Sequence, residues 1–362
     1  MMKRPFLSLL IILFMACAVW AAPSPTSFSG TATHGSSITI SGSSFGTGPS
    51  DVSWTGANIE AGTVGNAFAG TNWTSDTDPD WALPMYSTTQ AHSGSKAIYC
   101  GVIAGDAYNS IFTYTFPNPV TSSGSLFLSF WVRITPSTGH AWHQWKINRF
   151  SNAATIVDGY NQLIMFSWDN ENGTQVCVDP NEVAYSGVDP SPVGTASTWQ
   201  RIDQWIVGGV SNGAYYITQW VPGSTKVSDS LNPYATFRSG GNWNYLIFQN
   251  YLGNTDSGSA DIYYDDIYVS VGSQARCEIG NAETYSACTH MEIQPVTSWA
   301  ASSITATVNR GSFGASDTAY LYVVDSTGAV NSDGLQITFG SSGGSVATTA
   351  TGGAISGGGT LR

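Results

Sequence analysis

The run Leu126-Phe127-Leu128-Ser129-Phe130-Trp131-Val132-Arg133-Ile134 constrains the fold more than any other feature of this chain. Its even positions are uniformly apolar and its odd positions mixed, which is the period of two that a strand imposes by pointing successive side chains to opposite faces. Similar runs cover His140 to Phe150, Gln162 to Trp168, Trp199 to Val207, Ala214 to Trp220, Tyr245 to Leu252 and Ile262 to Val269. Clusters of Gly, Asn, Pro, Ser and Asp separate them, and no window sustains the 3.6-residue apolar period of a helix. Many short strands with turn punctuation predict an all-β protein built as a two-sheet sandwich or jelly roll.

Composition agrees and narrows the function. Charged residues are only 10% of the chain, against about 25% in an average soluble domain. Glycine (40 residues) and aromatics (12%) are abundant, as in extracellular β-proteins with many turns. The formal net charge of −12 argues against a nucleic-acid binder, whose affinity comes mainly from neutralising phosphates. At the N-terminus, Lys3 and Arg4 precede an apolar run from Phe6 to Trp20, and Val19-Trp20-Ala21 supplies a small-x-small cleavage pattern. Residues 1–21 are therefore expected to be a secretory signal peptide, and the protein secreted. A lipoprotein-type site at Phe14-Met15-Ala16-Cys17 is the rival, disfavoured because Phe and Met suit such a site poorly. No other stretch is long and apolar enough for a transmembrane helix.

Four cysteines remain after cleavage: Cys100, Cys177, Cys277 and Cys288. In an oxidising compartment an even number favours disulfides. Proximity in sequence pairs Cys277 with Cys288 and leaves Cys100 for Cys177; four buried free thiols are the alternative.

Ser36-Ser37-Ile38-Thr39-Ile40-Ser41-Gly42-Ser43-Ser44-Phe45-Gly46 reads as a strand and a glycine-marked corner. It resembles the opening of an IPT/TIG domain, an immunoglobulin-like module. The continuation that such a domain requires is missing after Gly46 and stands far downstream. It comprises Cys277-Glu278-Ile279-Gly280, then Trp299 to Val308, with Ala319 to Val324 and Leu335 to Phe339 as closing strands. The resemblance implies an IPT/TIG-like sandwich from 24–50 and 272–340, interrupted by an inserted jelly roll at 51–271. Insertion is physically permissible because domain termini often lie close together at the surface. Two unrelated β-modules in tandem are the alternative. Residues 341–362 are low-complexity and are expected to form a flexible tail.

The inserted segment carries Asn58-Ile59-Glu60-Ala61-Gly62, His92-Ser93-Gly94-Ser95-Lys96-Ala97 and Tyr264-Asp265-Asp266-Ile267. This triple resembles carbohydrate-binding modules and concanavalin A-like or laminin-G-like jelly rolls, in which such segments meet around structural calcium. The resemblance implies Glu60 and Asp265 or Asp266 as side-chain ligands, with carbonyls from the Ser95–Lys96 region.

Gly139 to Phe150 is the densest mixture of aromatic and hydrogen-bonding residues. Saccharides need that mixture, because their C–H faces stack on Trp or Tyr while their hydroxyls seek amides, guanidinium groups and carboxylates. The candidate ligand-binding residues are Trp142, Gln144, Trp145, Arg149, Gln219, Gln249 and Tyr251. The expected partner is a polysaccharide or surface glycan, bound without catalysis. A polysaccharide lyase is the alternative, with His143, Lys146 and Tyr160 cast for proton transfer. A glycoside hydrolase would need two carboxylates flanking the cleaved bond, and no strand carries alternating acids. A structural or adhesive surface protein is the third reading.

Overall fold

A computed structural model describes residues 21–77, 81–101, 110–136, 145–153, 162–167, 174–179, 186–188, 197–252 and 260–345. The fold is all-β. Among these residues helix is confined to Gly56–Ala61 and one 3₁₀ turn, Tyr285–Ala287. None of it is long and apolar enough to cross a membrane.

Two sheets form a large sandwich. In the first, the order is Val227–Tyr234, Gly213–Trp220, Gln200–Val207, Ser125–Pro136, Ala260–Val271, Ala97–Cys100 and Met85–Ser87, with Ser50–Trp54 also pairing to Ala260–Val271. In the second it is Ser186–Val188, Thr174–Asp179, Gln162–Ser167, Trp145–Ser151, Asn242–Leu252, Ile111–Thr121 and Trp73–Ser75. Their facing sides make one apolar core. Phe248 stacks on Phe112 at 5.1 Å and meets Phe130 edge-on at the same distance. The Tyr264 hydroxyl lies between Ile147 O and Gln249 O at 3.1 and 2.8 Å. Gln204 donates from the first sheet to Asn148 of the second at 2.8 Å, a polar bridge between the two sheets.

A smaller sandwich draws on both ends of the chain. Ser24–Thr31 and Ser37–Ser43 lie in one sheet with Val296–Ala300, Ser303–Thr307 and Ser342–Ser345. Met291–Gln294, Arg276–Gly280, Thr318–Val324 and Leu335–Thr338 form the other. Phe28, Ile38, Ile40 and Phe45 pack there with Ile279, Ile304, Leu321 and Ile337. The strand Ser342–Ser345 reaches into the segment expected as tail, where it pairs with Ser24–Thr31. Residues 346–362 and the expected signal segment up to residue 20 lie outside the described residues.

The period-two run that fixed the fold class is buried on both faces. Leu126, Leu128, Phe130, Val132 and Ile134 enter the large core. Phe127 turns the other way and packs with Tyr268 and Ile293, the latter from the small sandwich. The odd positions mix polar and apolar residues because they face a seam between two bodies.

The disulfide expectation is corrected. Cys100, Cys277 and Cys288 are buried free thiols. Cys277 and Ile279 point into the small core, whereas Cys288 packs with Trp220, Met291 and Tyr322 outside it. Nearness in sequence places the two sulfurs in different clusters. Cys100 sits in the large core, and the side chain of Cys177 lies outside the described residues.

Candidate functional site

A cleft of about 510 Å³ opens where the outer face of the first large sheet meets the small sandwich. Strand register builds its wall in rows. Phe127, Trp205 and Tyr216 are aligned across three strands, as are Ser129, Asp203 and Thr218, then Trp131, Arg201 and Trp220. Period two sends each row to the same face. The opposite wall is Gln274, Arg276, Tyr285, Thr327 and Gly328. The Lys226 ammonium lies 4.8 Å from the Trp220 ring centroid and 5.2 Å from that of Tyr285, within cation–π range. Trp205, Tyr216 and Tyr285 are half-buried, so each offers part of a ring to solvent.

Beneath the aromatics lies a buried charge network. Arg201 donates to both oxygens of Asp203 at 2.8 and 2.9 Å, to Ser129 Oγ at 2.9 Å and to the Met291 carbonyl at 3.1 Å. It also pairs with Glu278 across the seam. Arg276 Nε lies 3.2 Å from Glu278, and the Tyr285 hydroxyl donates to the other Glu278 oxygen at 3.0 Å. Trp220 Nε1 donates to Asp203 at 3.0 Å. Two guanidinium groups thus face two carboxylates. Burial pushes Glu278 up, but Arg276 and Arg201 outweigh it and hold the carboxyl at about 2. Burial raises the Tyr285 phenol well above its ordinary value, so it is a poor base at neutral pH.

The residues expected to bind ligand do not gather at this cleft. His143, Trp142, Gln144 and Tyr160 lie outside the described residues, as do the side chains of Trp145 and Tyr251. Gln219 stands in register with Ile202 and Phe130, and it is buried beside Gln200. Lys146 is half-buried, and Arg149 is buried on the strand Trp145–Ser151. Gln249 is wholly buried, with no hydrogen-bond partner for its side-chain amide among the described residues. The strand runs containing Trp205, Tyr216 and Trp220 were legible, but the cleft was not, because its far wall is contributed by residues 274–328.

The three segments expected around calcium do converge. Ser95 donates its N–H and Oγ to Glu60 at 3.0 and 2.9 Å, and the Lys96 N–H donates to Glu60 at 2.9 Å. Gly94, at φ +59°, lets this turn pass; a Cβ there would stand 2.4 Å from the Glu60 carboxyl carbon. Asp265 accepts the N–H groups of His92 and Ser93 at 2.9 and 3.1 Å. Asp266, at φ +45° beside a bulge, is turned the other way and accepts from Asn309 at 3.0 Å through Oδ2. Among the described residues its Oδ1 is buried with no hydrogen bond of ordinary geometry, although Ser93 lies close enough to lower the group. Burial pushes Asp266 up to about 6. Glu60, Ser93, Asp266 and Asn309 share a cavity of about 170 Å³. Backbone donors engage Glu60 and Asp265, which leaves Asp266 Oδ1 as the open oxygen.

No protein-family profile matches the chain, and no curated protein does. Among solved structures, it is similar to an alginate lyase from Aplysia kurodai at 12% identity and a TM-score of 0.40, covering 51% of this chain and 86% of that one. An endo-β-1,4-glucuronan lyase from Trichoderma reesei aligns at 14% identity and a TM-score of 0.38, over 61% and 95% of the two chains. Lectin II from Ulex europaeus aligns at 9% identity and a TM-score of 0.34, over 55% and 98%. The likenesses thus include lectins and polysaccharide lyases, and at such scores they assign neither substrate nor chemistry to this chain.

Proposed function

We propose that this is a secreted, non-catalytic glycan-binding protein, with the seam cleft as its saccharide site and the small sandwich, read as IPT/TIG-like, as the frame that completes it. The observation that carries this reading is the pair of partly open rings at Trp205 and Tyr216 facing Tyr285 across the cleft, beside Asp203, Thr218, Lys226 and Gln274. Rings of this kind take the C–H faces of a sugar, and the polar neighbours suit its hydroxyls. The volume falls in the usual range of about 300–1,000 Å³ for small-ligand sites.

The same residues argue against catalysis there. Hydrolysis needs a pair of carboxylates across the scissile bond, and among the described residues Asp203 is the single carboxylate lining the cleft. Both its oxygens already accept from Arg201. A lyase needs a base near the sugar ring, and neither raised Tyr285 nor a cationic Lys226 serves that role well.

A glycan-array screen of the mature protein, with product analysis on every hit, tests the proposal. Binding without turnover is expected. Unsaturated uronates or new reducing ends from a hit would replace it with the lyase or hydrolase reading. Absence of binding across the array would leave the structural or adhesive one.

A further inference from the structure

Away from the cleft, three buried side chains meet where the sandwiches touch. His92 comes from the large sandwich, and His290 and Glu292 from the small one. His92 Nε2 and His290 Nε2 lie 2.7 and 2.6 Å from the same Glu292 Oε1. The candidate ligand atoms of all three residues lie within 4.8 Å of one another. His290 and Glu292 are two apart at the start of the strand Met291–Gln294, a spacing that favours one face.

Each group is held in place by something else. The His92 ring stacks on Trp131 at 3.5 Å and 15°, and the His290 ring on Phe313 at 4.2 Å and 12°. Trp131 Nε1 donates to the other Glu292 oxygen at 3.0 Å, the kind of outer contact that orients a ligating carboxylate. Ser312 Oγ stands 3.3 Å from His290 Nε2 and offers a fourth ligand atom. The backbone passes closely over the carboxylate at Gly311, with φ +53°, where a Cβ would lie 2.0 Å from Glu292 Oε1. The His92 side chain is 1% exposed and that of Glu292 is 0%.

We propose that His92, His290 and Glu292 form a divalent-metal site of the zinc class that locks the two sandwiches together. Zinc takes imidazole nitrogen and carboxylate oxygen at about 2.0–2.2 Å in a four-coordinate shell. Its entry requires Oε1 to part from the two nitrogens by less than about an ångström. Calcium and magnesium favour all-oxygen shells and are poorly served by two imidazoles. The enclosure fits a structural site rather than a catalytic one, which would keep an open position.

The test uses the full mature chain. After loading with zinc and dialysis into metal-free buffer, elemental analysis is expected to find one equivalent per chain. Stripping with 1,10-phenanthroline should lower Tm by about 5 °C or more, restored by zinc and not by calcium. Cobalt substitution should give the visible bands of a tetrahedral site, lost in His290→Ala and Glu292→Gln. Folded wild-type protein that retains no zinc, with Tm unchanged by it, would overturn the proposal and leave two imidazoles clamped on a carboxylate. Zinc retained equally by wild type and both folded variants would overturn it too, since the ion would then lie elsewhere.

Discussion

Arg201 of the large sandwich and Glu278 of the small one form an ion pair across the seam, and both side chains are wholly buried. The pair does more than join two surfaces. Arg201 also anchors Asp203, and Glu278 also holds Arg276 and Tyr285, so the network ties the cleft's two walls together. Removing one member leaves a buried charge without its counterpart. Arg201→Met is therefore expected to destabilise the protein by about 3–5 kcal/mol, read as a lower urea midpoint. A loss below about 1 kcal/mol, within the range of a surface pair, would mean that solvent reaches the network.

The same carboxylate sets an acid limb. Glu278 is held at about 2 in the folded protein, whereas an unfolded glutamate titrates near pH 4.3. A depressed carboxylate contributes its stabilisation fully above the unfolded value and loses it as pH falls toward the folded one. Between about pH 5 and pH 2 this single group should withdraw stability on the order of 3 kcal/mol. The groups facing it are Arg276, Arg201, Tyr285 and Asp203; neither guanidinium titrates in that window. Urea midpoints measured from pH 6 to pH 3 should fall more steeply for wild type than for Glu278→Gln. Parallel profiles would show that other groups carry the acid limb.

Three thiols should be silent in the native state. Cys100, Cys277 and Cys288 are buried and unpaired with one another, and burial raises all three above the usual thiol range. Since the thiolate is the reactive form, Ellman's reagent should label these three only after denaturation. Reductant should leave the midpoint of a thermal melt unchanged. A Cys277–Cys288 disulfide found by peptide mapping would contradict the separation of the two residues into different clusters.

At the cleft, Trp205→Ala should weaken binding to a glycan hit by about tenfold or more, the scale of a lost aromatic platform of about 1.5 kcal/mol. Because Trp205 is half-buried, far-UV circular dichroism should remain that of wild type. Tyr216→Ala should act in the same direction. Unchanged affinity in both would move the saccharide site away from the seam, with Gln249, whose amide has no hydrogen-bond partner among the described residues, as the next place to look.

How much of this was legible in the chain depends on range. Alternation along Leu126 to Ile134 announced a strand and an all-β fold, because side-chain direction is a local property. That Trp131 faces a second body was not legible, since its partner Glu292 lies 161 residues away. The Glu60, Ser95 and Asp266 segments were singled out by their resemblance and do approach one another. The roles within them were not legible, because one bulge at Asp265 and Asp266 decides which carboxylate turns inward to backbone donors and which faces the cavity. His92 was marked only as part of the turn expected near calcium, and His290 carried no mark in the sequence. Each was an isolated histidine until the two sandwiches brought them to one carboxylate.

Calcium at the Asp266 cavity makes a final, separable prediction. Asp266 Oδ1 is buried with no hydrogen-bond partner among the described residues, and an unsatisfied carboxylate oxygen costs free energy that a cation would recover. Glu60 and Asn309 line the same space. Calcium bound there at about a hundredfold above its Kd would stabilise the fold by about 2.7 kcal/mol. Tm should therefore rise with added calcium, fall with EGTA, and respond to neither in Asp266→Asn. A calcium response lost in Asp266→Asn but kept in His290→Ala distinguishes this cavity from the histidine site. Should calcium leave Tm unchanged in wild type, Glu60 serves only to hold the Ser95–Lys96 turn, and Asp266 only to accept from Asn309.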